Sequence, residues 1–349
     1  MSSSLEKFKT NVQKEKNIEN IIYGHKINKD LLIAEEKEDH NMILFDFKTK
    51  KKILNITFHN NQITSIHICK KPLFIDNEEI ILSENSLLFL TSSLDGKFAL
   101  HKISYNYANS NYSDYKLIAQ CKPTHDEING IIQIENGQIL LATRDQCLIL
   151  FSNKLNNGNF EKLFEIKKDW PMQAGSPFEI RNNLIGVTWE YDDVEADDTD
   201  VVEEIYERNH LNDGIFIYLV DNNKIIKKKI LDKKTLWVIG NYSYVITKDK
   251  LILRFTKEEE IRLYNLNNLE FMLKLNMGLF FKIYPFNEKY IIIFYKKSDH
   301  KAIIKIYNIN KMNNVQIIKV LSEVNENNFF PISNDEYIFN NFIITIKEV

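Results

Sequence analysis

The side chains that could do chemistry in this chain are eight histidines, three cysteines and one dense run of carboxylates. The histidines are scattered. His59 and His67 stand eight positions apart with a β-rich stretch between them, a spacing that does not bring two imidazoles onto one metal. Cys69, Cys121 and Cys147 are far apart, form no CxxC pair and offer neither a zinc spacing nor a disulfide framework. Nothing beside them would lower a thiol pKa, so they read as packing or surface residues of a chain kept in a reducing compartment. No GxGxxG, P-loop, GxSxG or HExxH pattern occurs. Phosphate cradling, nucleophile elbows and zinc-activated water therefore have no local signature, and no catalytic residue, metal or cofactor is assigned.

The carboxylates are more informative. Glu190 to Glu207 hold ten acids and no base, and removing their charge from the net −3 leaves +7 for the remainder. A loop of this charge density stays extended and solvated by self-repulsion, which is one reading of it. The other is a docking segment for a basic stretch of a partner protein. Its candidate contacts are Asp192, Asp193, Glu195, Asp197, Asp198, Asp200, Glu203, Glu204 and Tyr206, with Val201, Val202 and Ile205 as apolar anchors. A calcium site fits poorly, because the run lacks the glycine and ligand spacing of an EF-hand loop. The lysine clusters 48–52, 227–229 and 233–234 read as solvated strand ends and turns, where lysine also discourages edge pairing.

The elements that must position these residues are strands. At 44% hydrophobic and 12% aromatic, with 10 Gly and 6 Pro, the chain can bury a large core and is neither disordered nor a linker. Helical periodicity is almost absent; short runs rich in Ile, Val, Phe and Tyr alternate with Asn-, Asp- and Lys-rich turns. Residues 1–10 lack the apolar core of a secretory signal. The longest tight apolar run, Tyr290–Tyr295, is six residues, against about 20 for a spanning helix. A cytoplasmic or nuclear protein without membrane insertion is expected.

One strand pattern recurs: apolar, any, apolar, aromatic, then a small polar or acidic residue. It occurs as Met42-Ile-Leu-Phe-Asp46, Leu148-Ile-Leu-Phe-Ser152, Ile261-Arg-Leu-Tyr-Asn265 and Ile304-Lys-Ile-Tyr-Asn308. Looser copies are Phe98–Lys102, Ile215–Leu219 and Ile343–Lys347. The aromatic-equivalent positions are 45, 101, 151, 218, 264, 307 and 346, with spacings of 56, 50, 67, 46, 43 and 39. The two longest intervals are read as carrying insertions, near Asn106–Asp114 and at the acidic stretch. Seven copies at a near-regular period predict an all-β, seven-bladed propeller of four-stranded sheets, a single domain over 1–349 with the acidic insertion at 190–213 inside blade four. Blades four and seven match most weakly, which leaves six as the alternative count. The last repeat supplies three strands, so a fourth is expected from the amino terminus around Leu5–Thr10, closing the ring.

At these residues the chain resembles the WD40-repeat family. Thr91-Ser-Ser-Leu-Asp-Gly-Lys-Phe-Ala-Leu-His-Lys102 is similar to the core of a WD40 repeat, with Asp95 in the tight turn, and Asp145 holds the same place in Thr143–Ser152. His59 before Ile63–Ile66 and His125 before Ile128–Ile131 look like the family's loop histidine ahead of an innermost strand. No blade ends in Trp-Asp, and His101 stands where the family places Trp in blade two. The resemblance implies a side-chain network of His, Ser/Thr, Asp and the strand aromatic that rigidifies a blade, with His59, Asp95, His125 and Asp145 as its members here. It also implies a non-catalytic scaffold that presents loops to a protein or peptide partner. The near-neutral overall charge disfavours a dedicated nucleic-acid binder. A nucleic-acid-associated scaffold stands as the alternative because of the +7 remainder, and a propeller-type hydrolase stands behind it.

Overall fold

The computed structural model describes residues 8–14, 18, 21–28, 30–37, 39–47, 49–82, 86–106, 111–123, 126–168, 172–191, 214–232, 244–255, 259–276, 282–298, 301–311, 313–321, 329–332, 335–339 and 342–348. Among these residues there is no α-helix, and no helix long and apolar enough to cross a membrane. The strands fall into seven antiparallel sheets, all but one purely so. They are distributed over two compact units, residues 1–58 with 242–349 and residues 59–241.

In the first unit, β1 (Phe8–Lys14) is followed by the four-stranded meander β2 (Ile21–Lys26), β3 (Leu31–Glu36), β4 (Met42–Asp46) and β5 (Lys51–Ile56). The second unit opens with β6 (Ile63–Ile68), then the short hairpin β7 (Phe74–Ile75) and β8 (Glu78–Glu79), then β9 (Ser86–Ser93), β10 (Phe98–Asn106) and β11 (Asn111–Cys121). β6, β9, β10 and β11 form the second sheet. The third is β12 (Ile128–Gln133), β13 (Ile139–Thr143), β14 (Cys147–Asn156) and β15 (Asn159–Lys167). The fourth has a first strand split into β16 (Met172–Ala174) and β17 (Phe178–Arg181), followed by β18 (Leu184–Tyr191), β19 (Gly214–Asp221) and β20 (Lys224–Asp232).

The first unit resumes with β21 (Tyr244–Ile246), β22 (Lys250–Phe255), β23 (Glu260–Asn265) and β24 (Phe271–Asn276) as the fifth sheet. β25 (Lys282–Pro285), β26 (Tyr290–Ser298), β27 (Lys301–Asn308) and β28 (Asn313–Leu321) form the sixth. The seventh is β29 (Phe329–Pro331), β30 (Glu336–Phe339), β31 (Phe342–Glu348) and, paired antiparallel to β31 over its whole length, the amino-terminal β1. The last sheet thus borrows its outer strand from the chain's start, slightly downstream of the expected residues.

All seven repeat positions, Phe45, His101, Phe151, Tyr218, Tyr264, Tyr307 and Ile346, lie on the third strand of their sheets and are buried. The physical reason is packing between sheets. Within the second unit one hydrophobic cluster joins the second and third sheets and another joins the third and fourth. Within the first unit clusters join the fifth to the sixth, the sixth to the seventh and the seventh to the first. Central strands are covered on both faces, so β4 and β13 are apolar at nearly every position and buried throughout. Outer strands such as β24 are mostly exposed. Each buried Leu, Ile or Phe contributes roughly 1.5–3 kcal/mol on burial, and the repeat is the sequence trace of that gain.

The insertions need one correction. The long interval between Phe45 and His101 is filled by the β7–β8 hairpin, which crosses to pair in parallel with the far end of β14. Residues Asn106–Asp114 fall in the next interval, where they extend the β10–β11 ladder as far as Asn106 opposite Asn111.

Candidate functional site

The second sheet holds a buried polar relay. His59 precedes β6, Thr91 lies on β9, Asp95 in the turn to β10, His101 on β10 and Tyr115 on β11. His59 Nδ1 is 3.2 Å from Asp95 Oδ2, and His59 Nε2 is 2.8 Å from Thr91 Oγ1. Thr91 Oγ1 is also 2.8 Å from His101 Nε2, and His101 Nδ1 is 3.1 Å from the Tyr115 hydroxyl. His59, Thr91 and His101 are all buried. The His101 ring stacks on Phe89, with centroids 4.9 Å apart.

The turn explains why the sequence folds this way. Asp95 Oδ1 accepts from the Lys97 N–H at 2.9 Å, and Oδ2 from the Asn60 N–H at 3.0 Å. Gly96 follows at φ +77°, and a Cβ there would meet Asp126 O at 2.7 Å, so glycine is required for both conformation and space. Burial alone would raise the Asp95 carboxyl, but the bonds from His59, Asn60 and Lys97 outweigh it and hold the group at about 2. A carboxylate only accepts hydrogen bonds, so it fixes the proton on His59 Nδ1. In the tautomer whose Nε2 is bare, His59 accepts the Thr91 hydroxyl proton, Thr91 oxygen accepts from His101 Nε2–H, and His101 Nδ1 accepts from Tyr115. Burial pushes His101 down to about 3, so it is neutral in the fold near neutral pH. The relay links five loop, strand and turn positions of one sheet without a solvent-facing nucleophile.

The third sheet repeats the turn but not the relay. Asp145 accepts from the Thr143 hydroxyl, which in turn accepts the Cys147 N–H at 3.1 Å. Gln146 takes the positive-φ position at 73°. Leu141 and Phe151 occupy the places that Thr91 and His101 hold in the second sheet, and both are buried in the apolar cluster between the second and third sheets. His125 lies outside the described residues, as do Asp192, Asp193, Glu195, Asp197, Asp198, Asp200, Glu203, Glu204 and Tyr206.

What surrounds the acidic run is described. β18 and β19 pair antiparallel from Leu184 opposite Leu219 to Trp189 opposite Gly214. The run therefore joins the second and third strands of a sheet whose ladder is intact up to the junction. Trp189 donates from Nε1 to the Tyr218 hydroxyl at 2.8 Å, beside that junction. The sequence pattern found Tyr218 but not its partner on the second strand. Among the described residues no group of His, Cys, Asp and Glu could hold a metal ion. Burial raises the thiols of Cys69, Cys121 and Cys147, the last to about 12, which removes them as nucleophiles near neutral pH.

Seven sheets built as consecutive meanders, the last completed by the amino-terminal strand, define a seven-bladed β-propeller as the class of this fold. A solved structure of the same fold is the β-propeller domain of Cps50 (Swd1) from Myceliophteria thermophila. It is 11% identical, with a TM-score of 0.52 over 97% of this chain and 99% of that one. No family model matches the chain, and no curated protein matches it. At this identity the likeness is one of fold.

Proposed function

We propose that the chain is a single propeller domain acting as a non-catalytic scaffold, and that the acidic insertion at 190–213 docks a basic segment of a partner protein. The observation that carries the reading is the junction at β18 and β19. The ladder runs from Leu184 opposite Leu219 to Trp189 opposite Gly214, and the 22 residues at 192–213 lie in the chain between these two paired strands. A 22-residue connection carrying ten acids between two directly paired strands is a feature in want of another use. The relay around His59 and Asp95 supports the scaffold reading from the other side, because its polar groups are spent on one another inside a sheet. Preorganised sheets that hold loops in place lower the ordering cost of binding.

The test is a chain in which Tyr191 and Gly214 are joined by a two-residue turn, beside one with the acids at 192–207 changed to Asn and Gln. Binding of a basic partner should be lost in both while the melting temperature is held. Retention of the partner by both variants rejects the docking role.

A further inference from the structure

The outer strand of the fourth sheet, Lys224-Ile-Ile-Lys-Lys-Lys-Ile-Leu-Asp232, carries four lysines and no acid before its last residue. β20 pairs with β19 on one side and has no strand partner on the other among the described residues. Lys224, Lys227, Lys228 and Lys229 are exposed, and Ile226 is 41% exposed beside them. At about 3.3 Å per residue, the four charges span roughly 17 Å of sheet edge.

Other outer strands answer their lysines with carboxylates. Lys274 of β24 lies 3.3 Å from Glu260, Lys162 of β15 lies 2.8 Å from Glu165, and Lys52 of β5 is paired with Glu36. On β20, no carboxylate among the described residues is within ion-pair distance of Lys224, Lys227 or Lys228. Lys227 is instead seated with its Nζ 4.6 Å from the centre of the Phe216 ring, with Lys168 Nζ 4.7 Å from the same ring. That contact keeps one charge of the row in place.

Lysines on an open edge keep ordinary strands away, because pairing would desolvate them against nothing. The same row is complementary to a strand that carries carboxylates. We infer that β20 is a docking edge for an extended acidic segment of a partner protein, which adds to the fourth sheet as a further strand. Main-chain hydrogen bonds would supply affinity, and the lysine row would select the sequence. A nucleic acid fits less well. Phe216 and Trp189, the rings beside the row, are 5% and 0% exposed and offer no stacking platform. A phosphate backbone also has no donor for the carbonyls of the strand edge.

The test uses the full chain and a labelled nine-residue peptide of alternating Glu and Thr, followed by fluorescence anisotropy. Two comparison probes are the same peptide N-methylated at alternate amides and an oligothymidylate of equal charge. The peptide should bind, and Lys224→Glu with Lys228→Glu should weaken it by about tenfold or more, as should N-methylation. Lys227 is left unchanged because it packs on Phe216. Lys224→Gln with Lys228→Gln is the milder pair, expected to weaken binding by about threefold with an unchanged melting temperature. Absence of binding overturns the inference, as does indifference to either lysine pair. Equal binding of the N-methylated peptide or of the oligothymidylate reduces the edge to a patch of charge and overturns it too. A roughly tenfold gain on removing 192–213 would assign the edge to the chain's own insertion in place of a partner.

Discussion

Thr91 has one hydroxyl and two imidazole neighbours, each at 2.8 Å, so it closes a relay that neither histidine could complete alone. Thr91→Val leaves both Nε2 atoms buried without that partner. It should cost about 1–3 kcal/mol by chemical denaturation, whereas Thr91→Ser should cost much less. Equal stability of the Val variant and the parent would show that the relay does not hold the sheet. The pH dependence has a definite sign. His101 is at about 3 in the fold against 6.5 for the free side chain, so its contribution is full above pH 6.5 and is lost as pH falls toward 3. Asp95, held at about 2 against 3.8, contributes above that ordinary value and is lost only at lower pH. His101→Phe should therefore flatten the loss of stability between pH 6 and 4, and Asp95→Asn should flatten it only below about pH 4. Denaturation midpoints at a series of pH values separate the two. His59 and Asp95 were legible because a loop histidine and a turn aspartate keep fixed offsets from their strands. Tyr115 was not, because the β10–β11 register shifts between Leu100 and His101, and no sequence pattern reports a bulge.

At the scale of the element, the third strands were the readable part. Their apolar-aromatic pattern survives because neighbouring sheets cover both faces. The β7–β8 hairpin escaped because each of its strands is only two residues long, too short for any period. β1 could be anticipated from a three-stranded last repeat, though its span, Phe8–Lys14, could not. Deleting residues 1–14 should uncover the edge of β31, lower the melting temperature and promote aggregation; an unchanged melting curve would contradict the pairing. Close approach within a sheet gives a second test. A Cβ on Gly186 would lie 2.3 Å from Phe178 Cζ, so Gly186→Ala should destabilise by about 1–3 kcal/mol. A neutral outcome in thermal denaturation would place Phe178 elsewhere.

Over the whole molecule, a net charge of −3 conceals segregation. The acidic insertion and the lysine row of β20 belong to the same fourth sheet and carry opposite signs. The first invites a basic partner and the second an acidic one, so each proposal is read with its own probe. The fold was legible because a repeat writes it seven times, whereas each docking feature is written once and its partner is not encoded in this chain. The measurement that bears most directly on the scaffold account is quantitative affinity purification from the native cell, comparing the intact chain with the version whose Tyr191 and Gly214 are joined by a short turn. The account predicts an unchanged melting temperature, an unchanged circular dichroism spectrum and the selective, salt-sensitive loss of a partner bearing a basic segment. An identical partner set from both proteins would contradict it.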